Sequence, residues 1–106
     1  MMVVGSQLEF DWDASNLRHL AQHRITRSEF EQAMANDPIL IDLDDESGEE
    51  RWNALGATDD LRVLFVVFTY RDDRIRPITV WKASRKLREA YFHTKRRWDL
   101  CPKTRN

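Results

Sequence analysis

Leu61 to Tyr70 limits the possible folds more than any other stretch of the chain. β-Branched and aromatic side chains run through it, and the six residues Val63 to Phe68 are apolar without a break. A strand with one face in water alternates apolar and polar residues, whereas one covered on both faces does not. The segment therefore predicts a central strand with other layers packed above and below it. It is far shorter than the ~20 apolar residues that a membrane helix needs.

The flanking segments supply weaker strands. Pro38 to Leu43 alternates loosely. Arg51 to Gly56 places Trp52, Ala54 and Gly56 on one face, and Arg74 to Trp81 follows the turn Arg71-Asp72-Asp73. Thr58-Asp59-Asp60 makes another turn, and the acidic stretch Asp44 to Glu49 is a loop. Pro77 cannot donate to a ladder, so the last strand is an edge or carries a bulge there. Leu8-Glu9-Phe10 reads as a short first strand.

Two helices precede this sheet. Asp11 or Asp13 offers an N-cap to a first helix over 14–23, whose Leu17, Leu20 and Ala21 share a face. Thr26 with Glu29 forms a capping-box pattern, starting a second helix near Arg27 with Phe30, Ala33 and Met34 as its stripe. Asn36-Asp37-Pro38 ends it, because a residue before proline is driven from the helical region. Ser84 caps a last helix from 85 to about 97, with Leu87 and Tyr91 turned to the core. Two helices, a run of antiparallel strands and a closing helix make an α+β fold, with helices packed on a meander.

The 106 residues fit one domain, 1–106, with 1–7 and 98–106 expected as flexible ends. Cys101 is the only cysteine, which excludes an internal disulfide and a cysteine-rich zinc site. Met1 to Gln7 lacks the basic start and apolar stretch of a signal peptide, so a cytoplasmic location is the default. The net charge of −1 hides an uneven distribution. Residues 37–50 hold seven acids and no base, whereas 85–106 hold eight bases against Glu89 and Asp99. Such a basic third attracts RNA or an acidic protein, or simply forms a solvated helix face.

A set of spaced motifs resembles the BrnT-type toxins. The first is Trp12-Asp13, Asn16, His19-Leu20-Ala21, His23 and Ile25-Thr26. Next come Glu50-Arg51-Trp52, Gly56 and Thr58, then Leu64 to Thr69. The closing set is Arg74-Ile75-Arg76, Ile78-Thr79 and Lys82 to Lys86, with Glu89 and Tyr91. These cover roughly residues 8–92 in order. The resemblance implies a RelE-like fold, an mRNA-cleaving activity that arrests growth, and a cognate antitoxin of ribbon-helix-helix or similar type. Operator DNA would be bound only through that antitoxin, and no cofactor or membrane is implied. Two positions depart from the pattern. Trp81 stands where family members commonly carry an arginine, a natural holder of the scissile phosphate, and Arg24 stands where a glycine usually follows the histidine.

Cleavage of RNA by its own 2′-hydroxyl needs a base, cations for the crowded phosphorane and an acid for the leaving oxygen, but no metal. Small toxins of the implied fold generally place those cations on the sheet. Arginine suits the task because its fork matches two phosphate oxygens. If Pro77 leaves the register intact, Arg74, Arg76, Ile78 and Val80 share a face, with Arg76 beside apolar surface. Arg51 projects opposite Trp52 on an adjacent strand. Arg51 and Arg76 are thus the first candidates for phosphate binding, each competing with the plainer role of an exposed arginine paired to an acid such as Glu50.

His19 and His23 share a helical face, but no third ligand is spaced to complete a metal site. Either could serve as a base or acid, although His19 reads more readily as a helix histidine bonded to backbone. His23 ends the helix, where the dipole attracts positive charge, and joins Lys82 among the catalytic candidates. Arg74, Arg85, Lys86 and Trp12 are candidates for RNA contact, and Trp52 and Trp81 for anchoring the antitoxin. The expected function is an RNA endonuclease toxin. The alternative is a catalytically inactive toxin fold acting as a corepressor for its antitoxin, with Trp81 marking the lost arginine.

Overall fold

A computed structural model describes residues 8–45 and 50–100, with side chains through 98. The elements in chain order are α1 (Ala14–Gln22), α2 (Arg27–Ala35), β1 (Ile39–Asp44), β2 (Arg51–Ala57), β3 (Val63–Arg71), β4 (Arg74–Lys82) and α3 (Arg85–Leu100). The strands form one antiparallel sheet in the order β1-β2-β3-β4, so the apolar run lies in an interior strand as expected. α3 continues past its expected end near 97, and the acidic residues 46–49 lie outside the described residues.

Strand pleating sorts the core into two layers. On the first face Ala54, Leu64, Val66, Phe68, Ile75 and Val80 pack with Leu20, Ile25, Phe30, Ala33 and Met34 of the α1–α2 unit. Gly56 shares that face, and a Cβ there would sit 2.6 Å from the Ala33 carbonyl oxygen; only glycine lets the α2 backbone approach so closely. On the second face Leu55, Ala57 and Val63 pack with Ala83 and Tyr91, flanked by Phe65, Leu87 and Phe92. α3 therefore covers only one end of that face.

Both N-caps form. Asp13 accepts from the Asn16 amide at 2.8 Å, and the Asn16 side chain accepts from the Asp13 amide at 2.9 Å. Thr26 and Glu29 make the corresponding pair at α2. Leu61 falls in the turn before β3, with φ 64°, and not in the strand. The turn Asp72-Asp73 has positive φ at both residues, the two-residue geometry that matches hairpin twist.

Two expectations are corrected. Leu8-Glu9-Phe10 is not a strand but a single parallel bridge, Phe10 to Ile75, on the outer edge of β4. The register of β4 also shifts: Thr79 pairs with Val67, yet Pro77 pairs with Phe68, which leaves Ile78 as an extra residue. Proline supplies no N–H at that point, and the bulge absorbs the gap. Arg76 consequently lies on the second face with Thr69, whereas Val80 faces α1 and α2.

Candidate functional site

The exposed end of the second face carries a row of polar side chains set by pairing alone. Arg51 of β2 lies one residue beyond the Trp52–Phe68 pair, beside Thr69 of β3, which pairs with Arg76 of β4. Two strand spacings separate the arginines, about 10 Å between backbones. Arg71 projects from the same face one pleat further along β3. Buried Thr69 donates its hydroxyl to the Glu50 carbonyl at 2.6 Å, which fixes the chain entering Arg51.

α1 passes along the β4 edge and closes the row into a cleft of about 280 Å³. Ser15, Asn16 and His19 line it from the helix, and Arg51, Arg71, Arg76, Pro77 and Ile78 from the sheet. Arg76 is oriented from outside. Its Nη2 lies 2.8 Å from an Asp13 oxygen and its Nη1 lies 3.5 Å from an Asp11 oxygen. Asn16 ties both residues down: its backbone amide donates to the Asp13 carboxylate, and its side chain donates to the Asp11 backbone carbonyl at 3.0 Å. The Asn16 amide, and after it Arg76, keep the Asp13 carboxyl below its ordinary pKa of 3.8.

Arg51 is held differently. It is half-buried, and its Nε is shielded from solvent with no hydrogen-bond partner among the described residues. A buried cationic donor without an acceptor is costly unless a ligand satisfies it. Asp11 and Asp13 flank Arg76 and Asp44 stands across from Arg51 on β1, so it is the convergence of three guanidinium groups, and not a net charge, that suits an anion with several acceptor oxygens. A second depression, of about 310 Å³ beside α2, is lined by Glu31 and no cation, so it does not suit such a ligand.

The chain belongs to the BrnT family. The family model, described as the ribonuclease toxin BrnT of type II toxin–antitoxin systems, matches residues 12–86. No curated protein matches the chain. A BrnT toxin implies a cognate antitoxin, and a ribonuclease needs a surface that binds phosphodiesters; the arginine cleft lies inside the matched region.

Of the residues singled out from sequence, Arg51 and Arg76 meet in the cleft. His23 does not. It caps α1 with its ring 6.3 Å from that of Trp81, and the histidine lining the cleft is His19. Lys82 pairs with Leu64 at the far end of β4 and so lies on the opposite face from Arg76. Arg74 is exposed and 3.8 Å from Glu9. Arg85 pairs with Glu89 on the exposed start of α3, beside Lys86. Trp12 packs against Phe10 and Phe30 and donates its indole N–H to Glu31 at 2.8 Å, which places it in the first-face core. Trp52 lies on that face too, T-shaped against Tyr70, while Trp81 lies on the second face, stacked on Phe65.

Sequence reasoning missed Arg71 and Thr69 and ranked His19 behind His23. Arg71 looks like a turn residue, and Thr69 carries no charge. The signal for His19 was present in its motif with Asn16, three residues apart, a spacing that turns both toward one side of α1.

Proposed function

We propose that this BrnT protein is a RelE-like, metal-independent endoribonuclease that cuts mRNA and arrests growth. The observation that carries the reading is the half-buried Arg51, its Nε without a partner among the described residues, in one cleft with Arg71 and Arg76. A scissile phosphate seated there receives the Arg51 donor and the oriented Arg76 fork, and the cations stabilise the charge that develops on the phosphorane. Attack by the 2′-hydroxyl breaks the P–O5′ bond and leaves a 2′,3′-cyclic phosphate and a 5′-hydroxyl. His19, on the α1 wall, is placed to exchange a proton with the sugar. Arg74, Arg85 and Lys86 extend the positive surface along which the RNA backbone lies.

The antitoxin, a DNA-binding protein of ribbon-helix-helix or similar type, silences the enzyme in the cytoplasm by covering the second face with an acidic segment. Trp81 is accessible to it there; Trp52, on the other face, is not. Because Arg51 and Arg76 must be shielded from RNA, the interface should exceed roughly 1,000 Å².

The test is induced expression without antitoxin, followed by growth and transcript integrity. Wild type should stop growth and deplete full-length mRNA, and Arg76→Ala should restore survival at least tenfold. One oriented transition-state contact contributes about 2.7–4 kcal/mol, enough to abolish toxicity. Were wild type to leave growth and transcripts untouched, the chain would be a non-catalytic partner of its antitoxin instead.

A further inference from the structure

The second face holds a feature that the cleft does not use. Along β3 and β4 the pairs run from Thr69–Arg76 through Val67–Thr79 to Phe65–Trp81. On β2 the matching residues are Arg51, Asn53 and Leu55. The Phe65 and Trp81 rings lie parallel, with centroids 4.9 Å apart and planes 10° from coplanar. Trp81 nevertheless remains 38% exposed, because β4 is the sheet edge and α3 covers only the end beyond it. The indole is thus held between the Phe65 ring stacked on one side and the tilted His23 ring 6.3 Å away on the other, with more than a third of its surface left in solvent.

We infer that Phe65 and Trp81 form a stacking subsite for an unpaired nucleobase of the RNA whose phosphate occupies the arginine cleft. The inference rests on the ribonuclease reading above. It adds that the substrate is single-stranded where it crosses this face, because a base inside a duplex has no free face to offer.

Four residues along β3, five along β4 with its bulge, separate the two sites, roughly 13 Å at the usual strand rise. That span needs a short run of chain, not one nucleotide, so the stacked base is remote from the cut bond. Half-buried Asn53 and Thr79 lie between, with an amide and a hydroxyl for the edges of intervening bases. An aromatic surface on a positive groove is how single strands are held without a fixed sequence, since every base has a π face. A protein anchor is the competing occupant. It is less well matched, because an anchor residue fills a pocket, whereas Trp81 lines neither depression described above and lies on the same sheet face as the cationic cleft.

The experiment uses the full chain and a short mixed-sequence oligoribonucleotide methylated at every 2′-oxygen, which cannot be cut. Trp81→Ala should weaken binding about tenfold, and Trp81→Phe should restore most of it, since loss of one stacked base is worth that order of affinity. An oligomer of abasic residues should bind wild type and Trp81→Ala equally. Equal binding of the base-bearing oligomer by wild type and Trp81→Ala would overturn the subsite. So would a loss confined to antitoxin binding. If wild type binds neither oligomer and cuts no unmodified RNA, the ribonuclease reading itself has failed. If wild type binds RNA and Arg51→Ala weakens it but Trp81→Ala does not, only the stacking inference falls.

Discussion

Replacing Arg24 by glycine should make the protein more stable, although most substitutions do the reverse. Arg24 follows the cap of α1 with φ 59°. Its amide donates to the Ala21 carbonyl and that of Ile25 to the Leu20 carbonyl, both at 3.0 Å, the bond pair of a Schellman ending. Leu20 and Ile25 are both buried in the first-face core, so packing holds this backbone whatever residue occupies position 24. A side chain in the left-handed region costs about 1–2 kcal/mol. Glycine removes that strain but gains unfolded-state freedom worth about 0.4–1 kcal/mol. The net gain is therefore about 0.8 kcal/mol at the middle of these ranges, and Tm should rise by roughly 3–6 °C for a domain of this size. Arg24→Ala keeps both the Cβ and the strain, and should stay within about 0.5 kcal/mol of wild type. Thermal unfolding followed by circular dichroism compares the three proteins. A glycine variant no more stable than wild type, or an alanine variant raised equally, would refute a backbone origin.

Gly56→Ala should act in the opposite direction, because the added Cβ meets the Ala33 backbone and α2 must move off the sheet; overpacking costs about 1–3 kcal/mol, read as a lower urea midpoint. Arg51→Ala should lower the rate of RNA cleavage by about 100-fold with little change in Tm, and Arg51→Lys should not restore it, since an ammonium lacks the fork. Full activity in the lysine variant would mean that only charge matters there. Stability should also fall in acid. The Asp13 carboxyl lies below its ordinary 3.8; burial raises that of Glu29, but the Thr26 amide and Arg62 outweigh it and hold it below 4.5. Both therefore contribute stability that is complete above the ordinary carboxylate range and lost as pH drops through their depressed values. Asp13→Asn keeps the helix cap but cannot titrate, so its stability should fall less steeply below about pH 4. Parallel acid profiles for wild type and variant would remove Asp13 from that account.

The sequence by itself determined the elements and their order. Apolar runs, caps and turn residues act over a few neighbours, so Thr26 with Glu29 set the start of α2 and Val63 to Phe68 demanded an interior strand. It also pointed to Arg51 and Arg76 as phosphate candidates by residue type, although the alternation that seated Arg76 beside Val80 did not hold. Only the tertiary structure decided which residues share a surface. The bulge at Ile78 reversed the expected partnership of Arg76 with Val80, because a register shift of one residue exchanges the faces. The passage of α1 along the β4 edge brought His19 rather than His23 to the arginines and set Asp11 and Asp13 against Arg76. Trp81 alone looked like a lost arginine; across two strands it stacks on Phe65 and stays partly exposed. Such contacts join residues far apart in the chain, and local propensity does not specify them.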